Sequence, residues 1–367
     1  MYTLTRFAAA AVGVLAVTCL APAQTWDQTG SGTYSWNDGI NWTGDDVPNG
    51  NNHVAVFSFP GAGAAKTVSV TGQITLFQLQ INDTQSNALS VTGGTIRFKN
   101  VGGGGNLSPI TVGSYAAPVI HTISSTLDFD GSNGTRTLTI GTNATLDLSG
   151  GLINSADDLF QVNGGGTLVL SGSNAGFGIP FNVSGSGTTL TVNDTLGSSP
   201  VTVGSGATLN GNGILTGDVT VNDGGTLSGN LTLGNLTLGA GTMNYTAKVG
   251  GTPTSPVHDK VTINGAVTAQ AGTFLNFNLV NDGTLQPDQT YTITLLDATS
   301  ITGLTAGQVS VTPVNFSFNT PPLVTIDSAN GNVLVTFNPV PEPTTVLGVG
   351  AAGLGALWLR RRRAARA

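Results

Sequence analysis

The strings GSGTTLTV (185–192), GSGATLNG (204–211) and GGTLSGN (224–230) decide the fold. In each, a glycine-rich turn precedes threonine, then an aliphatic residue, then alternation. Related strings are GGTIRF (93–98), GTNATLDL (141–148), GGGTLVL (164–170) and GAGTMNYT (239–246). With the threonine before the aliphatic residue as marker, the series runs Thr145, Thr167, Thr189, Thr208, Thr226, Thr242, at intervals of 22, 22, 19, 18 and 16. A period of about 20 marks a solenoid, whose coils bury their apolar faces only against one another. Apolar positions alternate within each strand, as in Leu168/Leu170 and Leu190/Val192, so one face points inward.

The expectation is an all-β, right-handed parallel β-helix (solenoid) with N- and C-terminal caps, followed by a short C-terminal transmembrane helix. A β-sandwich is the alternative. Composition agrees. Charged residues are 8% and glycines 53 of 367, while threonine, asparagine and β-branched residues abound, which favours short strands and tight turns over disorder. The expected division is 1–23 a leader, 24–60 an aromatic cap, 61–252 the solenoid, 253–339 a closing β module and 340–367 a tail.

The leader carries Arg6, an apolar run over 7–20 and the small-residue pattern Ala21-Pro22-Ala23, so cleavage is expected between Ala23 and Gln24. The single cysteine, Cys19, lies inside it. The exported body therefore holds no cysteine and rests on packing and backbone hydrogen bonds.

The tail begins with Val340 and the triplet Pro341-Glu342-Pro343. An uncharged apolar run follows over 344–359, then Arg360, Arg361, Arg362, Arg363 and Arg366. The prolines keep the triplet extended. As a helix the apolar run spans roughly 24 Å, enough for a bilayer core if the arginines snorkel. Arginines at the end stay cytoplasmic and place the body outside. In order and content this tail resembles the PEP-CTERM sorting signal of Gram-negative bacteria. The resemblance implies an exosortase as processing partner, transient anchoring in the inner membrane, and a final place at the cell surface or in an extracellular matrix.

Arg6 and the five tail arginines are six of the 12 basic residues, so the stretch from Gln24 to Pro343 sets all 19 acidic residues against six basic ones, a net of −13. Such a surface repels phosphate backbones, and nucleic acid is excluded as a partner.

The segment 31–57 holds Trp36 and Trp42, with Trp26 just before it. It resembles the entry segment of passenger-like proteins with autotransporter-associated β-strand repeats, though His53 stands where aspartate is usual. The physical reading is a plug over exposed strand edges; a carbohydrate contact through Trp36 and Trp42 is the functional alternative. Segments 258–279 and 289–304, with Asp259 and Tyr291, resemble the closing module of the same class, where it caps the β-helix.

No catalytic constellation emerges. His53, His121 and His258 lack metal-ligand spacing. Asp147, Asp157, Asp158, Asp194, Asp218 and Asp223 could pair as carboxylates, but no basic residue lies between Arg136 and Lys248 to stabilise developing charge. Turns at 128–135 and 222–225 offer oxygens that would suit calcium, and turn formation explains them equally. The expectation is a structural or adhesive protein, not an enzyme, with no cofactor, associated with exopolysaccharide or a biofilm matrix. A polysaccharide-binding or polysaccharide-degrading β-helix is the alternative.

Overall fold

The computed structural model describes residues 23–59, 65–83, 87–99, 106–129, 134–154 and 159–340. The chain winds through three faces in turn. One coil shows the pattern: Val201–Val203 on face 1, Thr208–Gly211 on face 2, Ile214–Leu215 on face 3, then Val219–Val221 back on face 1. Face 1 is a 12-stranded sheet from Ala23–Thr25 to Ser300–Thr302, and face 2 a path of 12 strands from Gly32–Ser35 to Val309–Val314, with a thirteenth, Ser255–His258, paired antiparallel to Gly241–Thr252. Along both paths each strand pairs in parallel with its counterpart one coil away. This is a parallel β-helix, as expected, and not the sandwich, whose Greek-key connections would give antiparallel neighbours.

Face 3 is split. A four-stranded sheet ends at Leu152–Asn154, and a second sheet resumes at Thr195–Leu196. Between them stands Asn174, bridged in parallel to Leu196.

The marker threonines stack. Thr145 pairs with Thr167, Thr167 with Thr189, Thr189 with Thr208 and Thr208 with Thr226. The next partner is Asn244 rather than Thr242, because the strand there lengthens to Gly241–Thr252 and the column continues two residues further on. The residue after each marker points inward, so Leu146, Leu168, Leu190, Leu209 and Leu227 form a buried column, none more than 3% exposed. Each such leucine contributes about 1.5–3 kcal/mol of burial. This repetition lets a body without disulfides stay folded.

The two ends differ. At the start, two short 3-10 turns, Gly39–Asn41 and Thr43–Asp45, occupy the place of a face-3 strand, the first capped by the Asp38 side chain accepting from Ile40 N–H. At the far end the pairing turns antiparallel: Tyr291–Asp297 pairs with Asn332–Phe337, and that with Leu323–Asp327. A hairpin across the last coil denies a further parallel strand its edge. The expected membrane helix over 344–359 lies outside the described residues; among those described, no helix is long and apolar enough to cross a membrane.

Candidate functional site

The final described strand, Pro339–Val340, places Val340 directly before the proline triplet. Val340 pairs with Ser317 and Pro339 with Phe318, antiparallel. The Pro339 carbonyl accepts from Asp288 N–H at 3.0 Å and the Asn338 carbonyl from Asn319 N–H at 2.9 Å. Phe337 packs against Phe316 and Phe318 and stacks on Tyr291, with centroids 5.9, 5.7 and 5.5 Å away. The Tyr291 hydroxyl donates to the Gly251 carbonyl and accepts from Gln286 N–H. Pro341, Glu342, Pro343 and the arginines Arg360 to Arg363 and Arg366 lie outside the described residues.

At the other end Ala21 is outside them, whereas Ala23 and Gln24 belong to the first strand. Gln24 pairs with Ala55, is 6% exposed and donates to Asp46 Oδ2 at 3.1 Å. A mature chain starting at Gln24 would lose only the Ala23–Val54 pair.

The carbohydrate reading of Trp36 and Trp42 is corrected. Both indoles are 0% exposed and offer no ring face to a sugar. They pack with Trp26 and Phe57 at centroid distances of 4.9–5.5 Å. Trp42 Nε1 donates to the Trp36 carbonyl at 2.8 Å and Trp36 Nε1 to the Pro48 carbonyl at 3.3 Å. Apolar area and satisfied N–H groups hold Trp36 and Trp42 inside, as buried tryptophan requires, while the buried Trp26 Nε1 has no hydrogen-bond partner among the described residues.

The structure does not gather the aspartates. Asp194 caps Thr195 N–H, Asp218 accepts from Asn235, Asp223 accepts from Thr242 N–H, and Asp147 accepts from Ser171. Asp128 pairs with Arg97 at 3.5 Å. Asp157 and Asp158 lie outside the described residues, within which no three histidine, cysteine or acidic side chains group as metal ligands. His258 Nε2 meets the Thr294 carbonyl at 2.9 Å.

One interior polar cluster escaped the sequence reading. His121 is fully buried; its Nδ1 accepts from Leu89 N–H at 3.2 Å, and its Nε2 lies 2.8 Å from the Tyr115 hydroxyl. Burial holds the imidazole down at about 4, with the nearby Asp83 charge opposing. Burial chiefly, and Asp83 in addition, raises the Tyr115 hydroxyl far above its usual range. Lys66 is also inward, with Nζ 4.4 Å from the Phe59 ring centroid; burial lowers its pKa against the opposing Asp83 charge. The signal was available. His121 alternates with Val119 and Ile123, and Lys66 with Val68, on the inward side of their strands.

Outward, the coils present uncharged columns. Thr202, Thr220, Thr237, Thr268 and Thr302 stand in register on face 1, as do the five marker threonines on face 2. Neighbouring hydroxyls are therefore spaced by the interstrand distance of about 4.8 Å.

No protein-family model matches the chain, and no curated protein matches it.

Proposed function

We propose that the chain is an exported structural or adhesive protein that an exosortase sorts to the cell surface or an extracellular matrix. The observation that carries the reading is the tail: triplet, uncharged apolar run and arginine block follow one another from Val340 to the end of the sequence. The leader and the cysteine-free body are compatible with export. Before processing, the apolar run holds the protein in the inner membrane with the arginines on the cytoplasmic side. Afterwards the rod associates with exopolysaccharide or other envelope components.

The outward threonine columns favour a neutral, hydrated polymer as partner. They offer hydroxyl donors and acceptors at a fixed repeat without charge to desolvate. The acidic body disfavours nucleic acid. Polysaccharide binding along the rod follows naturally from this reading; polysaccharide cleavage has less support, since the described aspartates are engaged in turns and cross-coil bonds.

Cell fractionation tests the sorting step. Replacing Pro341 and Pro343 with alanine should leave the full-length chain in the inner membrane. Unchanged release of that variant would remove the triplet from the account.

A further inference from the structure

The body joins the triplet without a linker. Val340 is hydrogen-bond paired with the closing strand, and Pro341 is the next residue. From Val340 to Thr344, where the apolar run starts, four residues span at most roughly 14 Å. A processing enzyme that takes its substrate as an extended segment must also hold residues upstream of the bond it breaks. For a bond in 341–343, those residues are Asn338, Pro339 and Val340. Their backbone already serves Asn319, Asp288 and Ser317. Two sets of partners compete for one stretch of chain.

We propose that Pro339–Val340 is a strap that limits processing: the triplet becomes a substrate in the fraction of molecules whose strap has opened. This rests on the sorting reading above. The strap is built to open alone. It is two residues long, and Pro339 has no N–H to donate. Its partner strand, Ser317–Phe318, is equally short. Such a terminal pair separates without disturbing the coils behind it. The aromatic cluster of Phe316, Phe318, Phe337 and Tyr291 then sets how much of the population is open, and that fraction scales the cutting rate.

The test compares the full chain with two variants in the native host, following the trimmed fraction after a pulse of synthesis. One carries an eight-residue Gly/Ser insertion between Val340 and Pro341. The other carries Ser317→Cys and Val340→Cys, whose antiparallel pairing suits a disulfide and meets no other cysteine in the mature body. Trimming should be several-fold faster with the insertion, and several-fold slower with the disulfide until reductant is added. Equal rates in all three overturn the strap.

A second arm separates the strap from the sorting reading. A recognition site for an unrelated sequence-specific endopeptidase is placed directly after Val340 in the otherwise full chain, held in detergent, with and without the cysteine pair. Slower cutting of the oxidised pair than of the reduced pair supports the strap even if the host never trims the protein, and that absence of trimming counts against sorting. Equal cutting of oxidised and reduced protein ends the strap proposal, whatever the host does.

Discussion

The Asn174 side chain replaces a strand across the wall of the solenoid: its Oδ1 accepts the Leu152 N–H at 2.7 Å. Its Nδ2 donates to the Gly172 carbonyl at 2.8 Å, while its own backbone bonds onward to Thr195 and Gly197. One residue thus joins the two sheets of face 3. Asn174→Ala would leave the Leu152 N–H without its acceptor in a buried place, a cost of about 1–3 kcal/mol. Limited proteolysis should then cut within 171–180 faster than in the parent protein.

His121 makes stability depend on pH. Its pKa is lowered from 6.5 to about 4 by burial, so the folded state favours the neutral ring. The stabilisation is complete above pH 6.5 and is lost as pH falls toward 4, amounting to about 3 kcal/mol over that window. Urea midpoints at pH 7 and pH 4.5 should differ, and His121→Phe should flatten the dependence between those values. An unchanged slope would place the sensitivity elsewhere.

Gly211 sits at a close approach of two neighbouring coils. Its φ is +132°, and a Cβ there would lie 2.0 Å from the Val192 carbonyl oxygen. Gly211→Ala is therefore strained by backbone and by contact, and should destabilise by more than about 1 kcal/mol. Gly176, with nothing within 4 Å of a built Cβ, is the control. Gly176→Ala should leave the melting temperature within error of the parent.

Trp36 anchors the first coil. Trp36→Ala removes a fully buried indole and leaves the Pro48 carbonyl without its donor. A loss of about 3–5 kcal/mol is expected, confined to the N-terminal coils. Hydrogen exchange should show faster opening of Val54–Phe57 and Lys66–Ser69, with Thr208–Gly211 unchanged.

The solenoid was legible because its repeat is local. Five marker threonines stand in one column, as their spacing foretold. The sixth failed for a physical reason: Asn244 and Thr242 are both outward positions of one long strand, and spacing alone cannot choose between them. The second sheet of face 3 was illegible, since strands of two residues such as Thr195–Leu196 carry no alternation to read, whereas Thr95–Phe98 and Thr126–Phe129 of the first sheet do alternate. The burial of His121 and Lys66 was written in strand parity, His121 alternating with Val119 and Ile123 and Lys66 with Val68. Trp36 and Trp42 allowed two readings because an indole suits a core and a sugar face alike; three-dimensional packing decided between them.

The central claim is that both ends of the sequence are addresses removed on the way out of the cell. Intact mass measurement on the protein recovered from its native host reads both ends at once. The account predicts a species that starts at Gln24, ends at or near the 341–343 triplet, and carries any covalent attachment as added mass. A soluble cytoplasmic species of full length, with Arg6 and Arg366 both present, would contradict it.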